Sequence, residues 1–201
     1  MALELVTIPC RSDNYAFLIH DDVSAKTALV DAPEAAPIQA ELTARGWTLN
    51  DIWITHHHDD HIDGVAALRT GARVIGAKAD AHRLPPLDLA ISEGDTVDFA
   101  GHAMQIFDVS GHTVGHLAFY LADANAVFTA DSLMALGCGR LFEGTAEQMW
   151  ASLSKLAALP ADTIVCSVHE YTAATPKTPK PQNPVTALAN SVKRVNWNDI
   201  S

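Results

Sequence analysis

The sequence predicts an α/β protein built from two mixed β-sheets, each covered on its outer face by helices. Three observations carry this expectation. Short strand signals alternate with helical ones through the first half of the chain. Two hairpin-like pairs follow in the second half, over Thr96–Asp108 and Leu117–Thr129. With 201 residues, 48% of them apolar and 18% charged, the chain is globular in composition and suits one domain, or one domain plus a tail.

Leu3–Ile8, Tyr15–His20 and Thr27–Val30 read as strands, with Asp21-Asp22 near a hairpin turn. Pro33–Arg45 has helical spacing through Ile38 and Leu42, and Gly46 supplies a C-terminal stop. The apolar run Asp51–Thr55 is the next strand, a helix is expected around Gly64–Arg69, and Arg73–Ala77 is another strand. Leu84-Pro85-Pro86 is irregular. Thr96–Phe99 and His102–Asp108 form a hairpin turned at Ala100-Gly101; Leu117–Leu121 and Ala126–Thr129 form a second, turned at Asp123-Ala124-Asn125. A helix from Thr145 to Ala158 opens on a capping box of Thr145 and Gln148 and places Met149, Leu153 and Leu156 on one side. Thr163–Cys166 is a further strand. After Thr172 the character changes: Pro176, Pro179, Pro181 and Pro184 fall beside Lys177 and Lys180, as in an extended linker. Asn183-Pro184 then either starts a short helix bearing Val185, Leu188, Val192 and Val195, anchored by Trp197, or leads into a poorly ordered terminus. The expected organisation is a catalytic body over 1–172 and a tail over 173–201.

The formal net charge is −11, which argues against nucleic acid and anionic membranes as partners. The charge is uneven, with 9 basic and 23 acidic residues up to position 176 and 4 against 1 beyond it. No apolar stretch reaches bilayer-spanning length, and Met1–Leu5 lacks the features of a signal peptide. Cys10, Cys138 and Cys166 form no disulfide framework, so a cytoplasmic location is expected, with the chain a monomer or weak homo-oligomer.

The chemistry concentrates in His56-His57-His58-Asp59-Asp60-His61, at the end of the Asp51–Thr55 strand. A strand that alternates its side chains would present His56 and His58 together, and the following turn would aim Asp60 and His61 at an adjacent point. Imidazole and carboxylate suit zinc, iron and manganese, so this loop can serve two neighbouring ions. A second cluster, Ser110–His116, follows a strand and lies among glycines. Of its two imidazoles, His112, in the turn, is favoured as a ligand, and His116 as a structural or supporting one. Asp131 ends an apolar strand, where it either bridges two cations or makes a turn or helix-cap contact. His169 ends another strand and is either a ligand or a satisfied buried histidine. Asp31 either orients a ligand imidazole or is a plain turn aspartate. His20, His57, His82 and His102 read as surface residues. The resulting count gives His56, His58 and His112 for one ion, and Asp60, His61 and His169 for the other, with Asp131 between, an open arrangement of the catalytic kind.

Here the residues resemble a family. Thr55–His61 resembles the signature of the metallo-β-lactamase fold. Gly111–His116, Phe128–Leu133, Gly137–Gly144 and Val168–Thr172 narrow the likeness to glyoxalase II, the hydroxyacylglutathione hydrolases, over roughly residues 3–172. The resemblance implies an αββα sandwich with two divalent metal ions, most simply zinc, with iron or manganese as alternatives. It implies hydrolysis of S-D-lactoylglutathione to D-lactate and glutathione by a metal-bridging hydroxide. Asp60 and Asp131 are then the catalytic carboxylates, as ligand and as bridge, and the ligand sets are those just counted. By the same resemblance Arg140 and Tyr171 meet the glutathione, and Phe142 stands where many relatives have tyrosine. Family members carry a C-terminal helical domain that the segment after Thr172 does not match. On the same core, β-lactamase or other thioesterase activity is one alternative, and iron-dependent persulfide dioxygenase chemistry is another.

Overall fold

A computed structural model describes residues 3–135 and 137–170; Tyr171, the proline-rich segment and the short helix expected beyond it lie outside the described residues. Among the described residues, eleven strands form two mixed sheets. The first sheet runs in the order β1 (Glu4–Cys10), β2 (Asn14–Asp21), β3 (Lys26–Val30), β4 (Leu49–Trp53), β5 (Arg73–Ala77) and β6 (Leu89–Ile91). Antiparallel pairing gives way to parallel pairing at β3. The second sheet is ordered β11 (Ile164–Cys166), β10 (Ala126–Phe128), β9 (Leu117–Leu121), β8 (His102–Asp108) and β7 (Thr96–Phe99). Only β10 and β11 are parallel there.

The sheets meet through aromatic side chains. Trp53 packs edge-on against Phe99 at 5.4 Å and lies 5.9 Å from Phe119, and Phe17 lies 5.7 Å from Phe128. Strand alternation sorts β9 and β10 between two environments. Leu117, Phe119, Leu121, Ala126 and Phe128 enter the core between the sheets. Ala118, Tyr120 and Val127 point the other way, onto Met149, Leu153 and Leu156 of α4 (Ala146–Ala157). On the far side, α1 (Ala35–Arg45) buries Ile38 and Leu42. Gly46 ends that helix at φ 70°, where its N–H caps the last carbonyls. No helix of the described residues is long and apolar enough to cross a membrane.

The local expectations fare differently. The helix expected around Gly64–Arg69 is present as the short α3 (Val65–Leu68), and a further turn, α2 (Asp59–Ile62), precedes it within the histidine loop. Between them Gly64 N donates to the Ala32 carbonyl at 2.8 Å instead of to the preceding turn, an approach at which a Cβ would lie 2.9 Å from that oxygen. Strand β6 had no sequence signal: three residues after a double proline are too few to show alternation. His20 is buried rather than on the surface, stacked on Trp47 at 4.0 Å with its Nδ1 2.8 Å from Thr27 Oγ1. The capping box at α4 is present in both directions, Gln148 N donating to Thr145 Oγ1 at 3.2 Å and Thr145 N to Gln148 Oε1 at 2.8 Å. Replacing Thr145 by alanine is expected to lower the unfolding free energy by about 1 kcal/mol, with serine retaining most of it. Urea denaturation measures this directly.

Candidate metal centre

The chain delivers its polar side chains past the C-terminal ends of β3, β4, β8, β10 and β11, at one edge of the sandwich. The histidine loop does not continue the strand: β4 stops at Trp53, and His56 and His58 lie in the extended segment beyond it. What replaces the ladder is contact with both sheets. Ile54 N donates to Ile75 O, Thr55 N to Asp31 Oδ1, and Leu117 N to Thr55 O, at 2.8, 2.9 and 2.9 Å. His56 and His58 therefore converge through a loop held on two sides rather than through strand alternation.

Two groups of donor atoms result. Those of His56, His58, His112 and Asp131 all lie within 4.8 Å of one another, and those of Asp60, His61 and His169 do likewise. Asp131 faces both. Its Oδ2 lies 3.1 Å from His112 Nε2, 3.7 Å from His61 Nε2 and 3.9 Å from His56 Nε2. Its Oδ1 lies 3.2 Å from His169 Nε2, which is also 3.4 Å from Asp60 Oδ2. The preceding Ala130 has φ 44°, a strained conformation for a residue with a Cβ, at the point where β10 turns Asp131 inward.

The surroundings set the ring tautomers. His61 Nδ1 donates to Asp31 Oδ2 at 2.8 Å, and His112 Nδ1 donates to the Arg140 carbonyl at 2.7 Å. Thr55 Oγ1 donates to Asp31 Oδ2 at 2.8 Å and so receives the Nδ1–H of His56, 3.1 Å away. All three rings are thereby left with Nε2 lone pairs aimed at Asp131. His58 Nδ1 lies 3.1 Å from both His56 Nε2 and His112 Nε2, and one proton there satisfies only part of this convergence. His61 Nε2 is buried and makes no hydrogen bond. Lone pairs packed this closely around an ionised carboxylate repel unless positive charge lies among them. The donor set therefore fits divalent cations, with nitrogen and oxygen ligands and outer partners that orient the rings.

The neighbouring imidazoles favour the ionised form of Asp131. Burial disfavours an ionised Asp131, yet contacts with His112, His169 and His61 hold its carboxyl far below the usual range. Burial likewise opposes the His61 cation, but Asp31 and Asp131 push it up to about 10. His116 goes the other way: buried and stacked on His56 at 4.5 Å, it is held down to about 3, so it stays neutral. It belongs to neither donor group, and its Nδ1 lies 3.2 Å from Leu117 O.

Asp31, one of two open readings in the sequence, orients His61. Asn14 gave no sequence signal. Its Nδ2 donates to Asp60 Oδ2 at 3.0 Å and to the Asp60 carbonyl at 3.2 Å, and its backbone bridges to His169. Only a residue pair 46 positions apart could have revealed it. Arg140 and Phe142 lie at the mouth of the site. Phe142 is 58% exposed, its ring 5.2 Å from that of His112 and 5.6 Å from that of His58, with the Arg140 guanidinium 5.2 Å over it. Gly139 makes this approach possible: a Cβ there would fall 2.1 Å from the Asp131 carbonyl. His57 is not a free surface residue but turns away from the donor groups toward Asp80.

The fold and the donor groups together define a class. A family model described as the metallo-beta-lactamase superfamily matches residues 12–169, and the chain belongs to that superfamily. Within it, the hydroxyacylglutathione hydrolase of Ruegeria pomeroyi is 72% identical over 174 residues, covering 86% of this chain and 68% of that protein. Two solved structures are also similar. ETHE1 from Myxococcus xanthus is 30% identical with a TM-score of 0.74, covering 86% of this chain and 77% of that one. TTHA1623, in a di-iron-bound form, is 26% identical with a TM-score of 0.69, covering 83% and 92%.

Asp31→Ala removes the acceptor that orients His61 and is expected to weaken divalent metal binding about 10- to 100-fold, as loss of such outer partners does. A competitive chelator titration checks this, and unchanged affinity would show that Asp31 is only a turn residue.

Proposed function

We propose that the chain is a dinuclear metal-dependent thioester hydrolase that converts S-D-lactoylglutathione and water to D-lactate and glutathione. The observation that carries this reading is Asp131, whose two oxygens face two separate donor groups. The 72% identical relative named hydroxyacylglutathione hydrolase supports the substrate. His56, His58 and His112 would hold one divalent ion, Asp60, His61 and His169 the other, and Asp131 would serve both. Zinc is the ion we favour; the same donors accept iron and manganese, and the di-iron form of TTHA1623 supports iron as an alternative. Bound ions of this kind supply a water ionised near neutral pH and a Lewis acid for the carbonyl oxygen.

The chain's own residues account for the remaining needs. Burial works against charge on Asp60, but His61 and the Asn14 amide keep it ionised below its ordinary range, so it is a poor proton acceptor and a good ligand. Oriented Nδ1–H groups on His61 and His112 leave those rings no freedom to turn away. The thiolate of the leaving group has a pKa near 8.5, so it departs without a dedicated acid; no such acid is needed from the chain. Arg140, an exposed residue, suits a substrate carboxylate, which the acidic body would otherwise repel. Phe142 offers an apolar wall beside it. We further propose that residues 1–172 form the catalytic unit and 173–201 a separate tail.

Incubation with S-D-lactoylglutathione should release one thiol per acid formed. Asp131→Ala should lower kcat by at least about 1,000-fold, which corresponds to roughly 4 kcal/mol. Failure to release thiol by protein holding two ions, with turnover of a cephalosporin or consumption of oxygen instead, would favour the other activities of this superfamily.

A further inference from the structure

Four side chains outside the donor groups close a ring around the loops that carry the first group. His57 Nδ1 donates to Asp80 Oδ2 at 2.9 Å, and its Nε2 lies 3.8 Å from Glu143 Oε1. Arg83 pairs with Asp80 through Nε and with Glu143 through Nη1, and its Nη2 donates to Glu143 Oε2 at 3.1 Å and to the Val114 carbonyl at 3.2 Å. Glu143 accepts from Val114 N at 2.8 Å. Asp80 itself is 1% exposed, and each of its oxygens is committed to one donor. It also lies against the second histidine loop: a Cβ on Gly115 would fall 2.9 Å from its own Cβ.

We propose that Asp80, His57, Arg83 and Glu143 are positioning residues that clamp three loops so that His58 and His112 meet at Asp131. The inference rests on the reading of the site as a dinuclear metal centre. His57 stands between His56 and His58, so fixing its ring restricts the backbone of both neighbours. Glu143 fixes residues 112–115 through Val114 and follows the Arg140–Phe142 segment whose carbonyl orients His112. Partly exposed ion pairs such as Arg83–Glu143 contribute little to stability by themselves. What the ring supplies is geometry, because its members come from three separate stretches, with His57 and Arg83 both held by the buried Asp80 carboxylate and both facing Glu143. The second group has other supports, Asn14 for Asp60 and Asp31 for His61. Loss of the ring should therefore affect one ion and spare the other.

Zinc-loaded wild type and the variants Asp80→Asn, Arg83→Met, Arg83→Lys and Glu143→Gln, titrated with a chelator, test this. Two ions should leave the wild type, and in Asp80→Asn and Arg83→Met one of them should leave at a chelator concentration about tenfold lower, the other unchanged. Arg83→Lys should fall between Arg83→Met and wild type. Glu143→Gln, at the exposed end of the ring, should show the same one-ion effect even if the buried variants fold poorly. Wild-type release from every variant, or parallel loss of both ions with a lower Tm, would assign the ring to folding alone and overturn the proposal. A wild type that holds fewer than two ions would overturn the dinuclear reading, and this inference with it.

Discussion

The Asp131 carboxylate lies almost out of solvent with imidazole nitrogens facing each of its oxygens. An isolated carboxylate in such surroundings would give up its charge, because the cost of removing an ion from water runs to tens of kcal/mol in a medium of low polarity. Here it keeps it, and the surroundings explain how. His61, His112 and His169 come from three separate stretches of chain and converge on one residue at the end of a short buried strand. The outer nitrogens of His61 and His112 are held by Asp31 and by the Arg140 carbonyl, and that of His169 lies 3.8 Å from Asp13 Oδ2. Positive charge is required at this point, whether protons or metal ions carry it.

The sandwich is suited to that demand. Parallel strands β3 and β4 in one sheet and β10 and β11 in the other end at the same edge, so loops following them meet without long excursions. The Phe17–Phe128 and Trp53–Phe119 contacts hold the two sheets together beneath the site. Glycines at 111, 139 and 144 let three backbone segments approach closely, and a Cβ at Gly144 would lie 2.6 Å from the Gly111 Cα. Stability and site geometry are thus drawn from the same packing.

Most of the strands and both long helices were legible in the sequence, because period-two alternation, Gly46 and the Thr145 capping box are local signals. The contiguous histidine loop was legible for the same reason. Asp131 and His169 could be placed only at strand ends, where a turn contact or a satisfied buried histidine stayed open as a reading until the motifs were matched as a set. Asn14, Asp80, Arg83 and Glu143 were illegible. Apart from the Asp80–Arg83 pair, their partners lie 23 or more residues away along the chain, and nothing local distinguishes them from ordinary surface polar residues. Burial misled in one direction: His20 and His57 read as surface imidazoles, yet the first stacks on Trp47 and the second joins the Asp80 ring.

The claim on which the account turns is that one carboxylate serves two cations. Anomalous diffraction from zinc-loaded crystals addresses it most directly. The account predicts two peaks about 3.5–4 Å apart, one on each side of Asp131, with its two oxygens divided between them. A single peak, or two peaks of which only one contacts Asp131, would contradict it.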